Sequence, residues 1–167
     1  WREWQHYKDV LAEVADEAVT KLNAQIVFMP MQYPEDVKAA KKIVAKMKQP
    51  ACILKEDFTT RELMSLVGNM DLMIGIRLHA LIFAGVMGTP MIGISYDPKI
   101  DRFLKSIDED VVGDLENVTV EALMQEINAK WNNKEIYRNQ NLKRMAKLRS
   151  LARSNAEMAL EFIDKNK

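Results

Sequence analysis

Two spacings of apolar residues alternate along this chain of 167 residues. Apolar positions three or four residues apart are typical of amphipathic helices, and short continuous apolar runs are typical of strands buried on both faces. The helical spacing predicts helices over residues 4–22, 34–48, 59–69, 78–86, 97–107 and 119–130. The apolar runs predict strands over residues 25–31, 51–54, 72–76, 90–94 and 111–112.

Local signals fix several of these boundaries. Thr59 and Glu62 have the spacing of a capping box, in which each side chain bonds the other residue's backbone N–H. Pro34 and the two acidic residues after it indicate a helix start, and Gly88 indicates a helix end. Residues 132–164 are rich in Leu, Met, Ala, Lys and Arg, which predicts one long helix or a broken pair.

The alternation of strands and helices with short turns predicts the α/β class. We expect a doubly wound, mostly parallel sheet of the Rossmann-like type with helices on both faces. The length fits a single domain over residues 1–167, with a long C-terminal helical segment from about residue 132. Because the chain lacks an initiator Met and enters a helical pattern at once, we expect it to be a piece of a longer protein.

Charge and composition restrict the function classes. Lys plus Arg and Asp plus Glu both number 24, so there is no excess of positive charge to support nucleic-acid binding. The single cysteine, Cys52, cannot form an internal disulfide, which favours a reduced, cytoplasmic setting. The sequence shows neither a membrane-spanning apolar stretch nor a signal peptide.

Polar side chains follow two of the predicted strands. In a parallel α/β sheet, ligands bind at the carboxyl ends of the strands, beside helix N-termini. The candidate site residues at these two strand exits are Arg77, His79, Ser95, Tyr96, Asp97 and Lys99.

These residue types suit a small anion. Arg77 would stand where a helix N-terminus adds unpaired N–H groups, so a carboxylate or phosphate is favoured there. His79, in the first turn, is a candidate general acid or base, and Lys99 can direct an ammonium group into the same crevice. Asp97 either orients Lys99 or caps the following helix, and the cap is favoured.

Structural interpretations compete with each of these assignments. A lone Arg at a strand end is more often a salt-bridge residue, and a lone His is usually structural, but the combination at neighbouring exits favours a ligand site. Gly75, Gly85, Gly88 and Gly93 serve either packing and turns or close approach of a ligand, with packing favoured. Neither a Gly-x-Gly-x-x-Gly fingerprint nor a Cys/His/Asp cluster with metal-ligand spacing is present in the sequence.

Two further features leave alternatives open. His6, with Trp1 and Trp4, either lines the crevice or belongs to a truncated helix N-terminus. The Lys and Arg residues of the 143–153 run favour a solvated helix face over contact with an anionic membrane.

The residues at the two exits carry a resemblance to a known family. Asp71-Leu72-Met73-Ile74-Gly75-Ile76-Arg77-Leu78-His79-Ala80, Gly88-Thr89-Pro90 and Gly93-Ile94-Ser95-Tyr96-Asp97-Pro98-Lys99 resemble the polysaccharide pyruvyl transferase family, in particular its bacterial CsaB type. The resemblance implies the C-terminal domain of a two-domain fold like that of type-B glycosyltransferases. It implies phosphoenolpyruvate as donor substrate, without a further cofactor or metal.

The resemblance also implies the acceptor and the partners. The acceptor is an N-acetylmannosamine residue of a lipid-linked cell-wall polysaccharide precursor, and the pyruvate ketal formed gives the polymer a negative charge that S-layer proteins recognise. His79 would move protons, Arg77 and Lys99 would hold the anionic groups, and Ser95, Tyr96 and Asp97 would bind substrate. The enzyme's own N-terminal domain would complete the site. Because the acceptor is lipid-linked, peripheral association with the inner face of the cell membrane is a further expectation.

Two alternatives stand beside this reading. The C-terminal donor-binding domain of a nucleotide-sugar glycosyltransferase or epimerase shares the architecture, but such domains commonly place a carboxylate against the ribose. The sequence lacks an acidic residue at that position in the helix that begins near Leu78. The other alternative, a non-catalytic domain that binds partners through its C-terminal helix, is disfavoured by the concentration of polar residues at the exits.

Overall fold

A computed structural model describes residues 3–165 of the chain, and its helices and strands follow the predicted order. Trp1 and the side chain of Trp4, named above for the crevice, lie outside this description. The helices are α1 (Glu3–Leu22), α2 (Glu35–Val44), α3 (Thr60–Gly68), α4 (Leu78–Met87), α5 (Pro98–Ser106), α6 (Val120–Asn132) and α7 (Lys134–Lys165). The strands are β1 (Ile26–Phe28), β2 (Ala51–Ile53), β3 (Met73–Gly75), β4 (Met91–Ser95) and β5 (Val111–Asp114).

The strands form two parallel sheets. The two-stranded sheet pairs β1 with β2, and the three-stranded sheet has the order β3-β4-β5. The predicted α/β class with parallel strands is confirmed, but the prediction of one continuous sheet is wrong for the described residues. The reason is an apolar cavity of about 530 Å³, lined by β1 on one side and β3 on the other, where hydrogen bonds between the two strands would have to form.

Helices cover both faces of the three-stranded sheet. Ile92 and Ile94 of β4 pack in one core with α1, α2 and α6, and Met91 packs in a second core with α3, α4, α5 and α7. This alternation follows from the pleat of a strand, which turns successive side chains to opposite faces. All five residues of β4 are buried, as the continuous apolar run predicts.

Local signals placed the helix ends correctly in most cases. The capping box is present: Thr59 N donates to Glu62 Oε2 at 2.8 Å, and Glu62 N donates to Thr59 Oγ1. Gly88 ends α4 with a φ of 78°, a left-handed conformation that glycine adopts without steric cost.

Helix α2 is shorter than predicted. It ends at Val44 rather than near Lys48, because the carboxylate of Asp16 in α1 accepts hydrogen bonds from the backbone N–H groups of Lys48 and Gln49 at 2.8–2.9 Å. This side chain, more than thirty residues earlier in the sequence, turns the chain toward β2.

The C-terminal segment is one helix, separated from α6 at Asn133. A buried ion cluster holds it to the sheet: Lys130 Nζ donates to Glu109 and to the Met91 carbonyl, both at 2.6 Å, and Arg144 donates to Glu109 at 2.6 Å. The basic run at 143–153 is therefore only partly a solvated face. Residues 151–165 of α7 are exposed.

Candidate functional site

The two predicted exits lie side by side. Gly75, the last residue of β3, is in register with Gly93 of β4, so the segments that follow both strands leave the same edge of the three-stranded sheet. Arg77 precedes α4 and Asp97 precedes α5. The structure thus brings the two polar segments to neighbouring positions, as the parallel topology predicts.

The N-termini of α4 and α5 differ in their capping. In α5, Asp97 Oδ1 accepts the backbone N–H of Lys99 at 2.9 Å, so a side chain of the protein already occupies this position. In α4, the N-cap residue is Arg77, which makes no side-chain cap, and the first turn contains no acidic residue. The first N–H groups of α4 and its positive dipole end are therefore open to an external anion.

Arg77 is held in place by an ion pair. Its Nη2 atom donates to Asp36 Oδ1 at 2.7 Å, and the two side chains are 36% and 21% exposed. This hydrogen bond raises the pKa of Arg77, and Tyr96 contributes in the same direction. The guanidinium remains charged at every physiological pH, and because it carries five N–H donors it can bind an anion beside Asp36.

Asp36 is the residue that the sequence reasoning missed. Its Oδ2 atom accepts hydrogen bonds from the backbone N–H groups of Met31 and Gln32 at 3.1 and 2.9 Å, so it also fixes the loop that follows β1. The sequence indicated an acidic residue in the first turn of α2, and we interpreted it only as favourable to the helix dipole. The contact with Arg77 joins residues 41 positions apart, and a single sequence offers no signal for it.

Asp97 both caps α5 and pairs with Lys99. Besides the backbone bond, Asp97 Oδ2 lies 3.2 Å from Lys99 Nζ, so the two alternatives considered for this carboxylate are present together. These contacts, the backbone bond first, lower the pKa of Asp97. Lys99 Nζ also lies 6.0 Å from the centre of the Tyr96 ring, which is 41% exposed and borders the cavity beside Arg77.

Ser95 lies deeper than the other candidates. It is buried at the end of β4, and its hydroxyl group donates to Asp101 Oδ2 at 2.5 Å. This bond ties the strand to the first turn of α5. A substrate would have to displace Asp101 to receive the Ser95 proton.

His79 stands apart from the other side chains. It is the second residue of α4, it is exposed, and within residues 3–165 no hydrogen bond to its imidazole is found. His6, by contrast, donates a hydrogen bond from Nε2 to the Val118 carbonyl oxygen at 2.9 Å. His79 is thus the histidine whose ring is open to a substrate.

The glycines beside the exits serve packing. A Cβ atom on Gly75 would lie 2.6 Å from Leu81 Cδ2, and one on Gly85 would lie 2.9 Å from Met145 Sδ. A Cβ atom on Gly93 would likewise clash with the Leu104 side chain. Close helix–strand contact, rather than approach of a ligand, explains these three positions.

The arrangement as a whole suits an organic anion. A cation held by a carboxylate, an uncapped helix N-terminus, an exposed imidazole and a second cation lie along one edge of the sheet. Within the described part of the chain, the side chains form no group of three or more His, Cys, Asp or Glu residues that could hold a metal ion. The helices found there include none with the length and apolar composition needed to cross a membrane.

A comparison with known protein families gives a match that covers most of the candidate site. A model of the polysaccharide pyruvyl transferase family matches residues 1–98, which is more than half of the 167 residues. The matched range includes β3, β4 and all the candidate site residues except Lys99. Neither the curated proteins nor the solved structures gave a match to the chain.

Proposed function

This chain belongs to the polysaccharide pyruvyl transferase family, and on that premise we propose that it takes part in transfer of the enolpyruvyl-derived group of phosphoenolpyruvate to a sugar. The proposed acceptor is an N-acetylmannosamine residue of a lipid-linked cell-wall polysaccharide precursor, as in the CsaB type of the family. The product is a pyruvate ketal, whose carboxylate gives the polymer a negative charge for S-layer anchoring. The family itself indicates a transferase with a saccharide acceptor.

The uncapped N-terminus of α4 is the observation that carries this proposal. Phosphoenolpyruvate has a carboxylate and a phosphate, and each needs a cationic or N–H-rich partner. Arg77 stands at the N-cap of α4, and the first turn beyond it has no carboxylate that would repel an anion. We propose that one anionic group of the donor binds here and that Lys99 holds the other.

The reaction requires one residue that moves protons. Two sugar hydroxyls form bonds to the enol carbon, the methylene gains a proton to become a methyl group, and the bond to the phosphate oxygen breaks. Of the two hydroxyl protons, one is transferred to the methylene carbon to form the methyl group, and the other leaves with the phosphate. We assign this proton transfer to His79, because its exposed ring lies in the same turn as the proposed anion site.

The remaining candidates have supporting roles in the proposal. Lys99 Nζ lies 6.0 Å from the centre of the Tyr96 ring and Tyr96 also interacts with Arg77, so we propose that Tyr96 contacts the donor. Ser95 and Asp97 bind substrate less directly, because each is engaged by a neighbour, Asp101 and Lys99 respectively. The proposed reaction uses the donor and the sugar acceptor, without cofactor or metal.

The larger architecture belongs to the proposal as well. Residues 1–167 would form one Rossmann-like domain, the C-terminal half of a two-domain fold like that of type-B glycosyltransferases. The N-terminal domain would supply further anion-binding residues and part of the acceptor site. We place the enzyme in the cytoplasm, with peripheral association at the inner face of the membrane where a lipid-linked acceptor is accessible.

A titration tests the donor site. Phosphoenolpyruvate is added to isotope-labelled protein and the backbone amide shifts are followed, with inorganic phosphate and a uridine-diphosphate sugar in parallel. The amides of His79 and Ala80, in the uncapped turn of α4, should shift most with phosphoenolpyruvate. The Lys99 amide should shift as well, because the proposal places the second anionic group at this residue. The Leu123 amide serves as an internal control, because it is buried in α6 and bonded to the Thr119 carbonyl.

Each outcome has a clear meaning. A preference for phosphoenolpyruvate over both controls at the first turn of α4 supports the proposal. A preference for the nucleotide sugar would favour the donor-binding domain of a glycosyltransferase or epimerase. Equal shifts with phosphate and phosphoenolpyruvate would show a general phosphate site and remove the support for the proposed donor.

A further inference from the structure

The second half of α7 extends away from the cores of the domain. In the first half, Met145 and Leu148 belong to the second core, and Asn141 donates to the Thr89 carbonyl. Each of residues 151–165, by contrast, is exposed. A helix of about 15 residues is marginally stable in water by itself, because most helical stability comes from the packing of an apolar face. Contact with a further surface would therefore stabilise this half of α7.

An apolar stripe continues along this exposed half. It consists of Leu148, Leu151, Asn155, Met158 and Phe162, which follow one another at alternating spacings of three and four residues. This is the spacing of the a and d positions of a coiled coil, so the five residues share one side of the helix. Leu151, Met158 and Phe162 are 54%, 60% and 70% exposed. The stripe thus starts at the second core and continues beyond it as a solvent-exposed apolar surface.

The residues beside the stripe indicate what can cover it. Ala152 and Ala159 border one side, and their small side chains allow a second helix to approach closely. Lys147, Ser154 and Glu161 border the other side at intervals of seven residues, with opposite charges at the two ends. Because Lys147 and Glu161 stand about 21 Å apart along one helix, they cannot pair with each other. They can pair only with groups on another surface.

A second copy of α7 in the opposite direction matches this charge pattern. In an antiparallel pair with its two-fold axis near Ser154, Lys147 of each helix faces Glu161 of the other, which gives two ion pairs. A parallel pair would place Lys147 beside Ala152 and would form neither. The contact that Glu161 makes within its own helix, with Lys165 at 3.8 Å, is exposed and weak, so the carboxylate is open to such a partner.

We propose that the stripe of α7 is an interface for a second copy of this chain, docked with the two α7 helices antiparallel. The apolar residues supply the contact area, and the Lys147–Glu161 pairs fix the direction. Asn155 adds specificity, because a single polar residue in an apolar seam selects the register at a cost in stability. The inference rests on the pattern and exposure of α7 alone, and it is independent of the proposed donor and acceptor.

Charge reversal tests the proposed pairing. Sedimentation equilibrium from about 1 to about 300 μM protein measures the dimer fraction. Lys147→Glu would oppose two carboxylates at each end of the interface and should weaken association at least tenfold, and Glu161→Lys should do the same with two ammonium groups. The double variant, Lys147→Glu with Glu161→Lys, restores both pairs in reverse and should dimerise like the original chain. Arg153→Glu, on the opposite side of the helix, is the matched control and should leave association unchanged.

Cross-linking tests the direction. In a Cys52→Ser background, Ser154→Cys should oxidise to a covalent dimer, because the two copies of this position meet near the two-fold axis. Met158→Cys should not, because its two copies would lie more than about 10 Å apart in the antiparallel pair, beyond the reach of a disulfide. In a parallel pair this result would be reversed, since equivalent positions of the seam would then face each other.

Three results would overturn the proposal. The first is a monomer at every concentration, which would leave the stripe without a second copy. The second is a double charge variant that associates no better than either single variant, since the two positions would then not face each other. The third is cross-linking through Met158→Cys in preference to Ser154→Cys. Circular dichroism of each variant checks that the helix content is unchanged.

Discussion

The three-stranded and two-stranded sheets differ in how completely they are packed. β4 is buried along its whole length, with paired strands on both sides and a helical core on each face. β1 has one paired neighbour, β2, and its residues are only half-buried. The predicted site lies on the well-packed sheet, yet the side chain that holds Arg77 comes from the helix between β1 and β2. The well-packed region therefore carries the candidate reactive groups, and the less completely packed region sets the position of one of them, Arg77.

Substitution of His79, beside the well-packed sheet, should have the largest effect on activity. Replacement of His79 by Ala in the complete enzyme should lower turnover roughly 10²- to 10⁴-fold, the usual loss when a general acid or base is removed. The matched control is His6→Ala, since the chain has two histidines and His6 bonds a backbone carbonyl. Turnover rates are measured alongside circular dichroism. Near-normal turnover of the His79→Ala enzyme would remove this residue from the mechanism.

The difference in packing between the two sheets is tested by the same substitution, Ile to Ala, in one strand of each sheet. Ile94→Ala in β4 should lower the free energy of unfolding by about 4 kcal/mol, because the side chain is fully buried and leaves a cavity. Ile26→Ala in β1 should cost about 1 kcal/mol, because this side chain already borders an open space and has fewer contacts to lose. Urea unfolding of both variants measures the difference. Equal losses would show that the two sheets are equally well packed.

Asp36 tests the connection between the two regions. Asp36→Asn removes a negative charge beside Arg77, so phosphoenolpyruvate should bind about fivefold more tightly, for a change of about 1 kcal/mol in a partly exposed site. The guanidinium also loses the partner that orients it, so kcat should fall about tenfold. Glu35→Gln, one residue earlier and exposed, is the control and should change neither value by more than about twofold. A parallel loss of affinity and kcat would assign Asp36 to loop stability alone.

Glu62, in the helix that follows β2 and precedes β3 along the chain, gives the smallest expected effect. Its hydrogen bonds with Thr59 lower its pKa from the usual 4.5, so the carboxylate contributes stability at higher pH. This contribution is complete above the unfolded pKa and is lost as the pH falls through the lower, folded value. Glu62→Gln should therefore flatten the acid side of a plot of Tm against pH, and leave its shape unchanged from pH 6 to 8. An unchanged acid side would show that the capping box is not formed in solution.

The sequence predicted those features that depend on residues close together in the chain. The Thr59–Glu62 capping box, the turn at Gly88 and the polar exits at Arg77 and Asp97 are all local, and the structure has each of them. The division of the sheet was not predictable in the same way, because apolar runs indicate strands without indicating which edges pair.

Long-range contacts account for what the sequence did not reveal about the site. Asp36 is close to Arg77 only after the chain has passed through β2 and α3, and Asp16 ends α2 from a different helix. The roles proposed for His79 and Lys99 stay predictions until the titration and the substitutions are done.

The anchoring of α7 has a consequence for the order of events during biosynthesis. The side chains that close the second core and the start of β4 come late in the chain: Lys130 holds the Met91 carbonyl, Asn141 the Thr89 carbonyl, and Met145 packs beside Gly85. Ser95, at the end of β4, leaves the ribosome fifty residues before Met145, a delay of about 3 to 10 s at usual rates of translation. During that interval the apolar surface of α4 and β4 lacks its natural cover. We expect the nascent chain to depend on chaperones at this stage, and shortening of α7 before Met145 to lower the yield of folded protein.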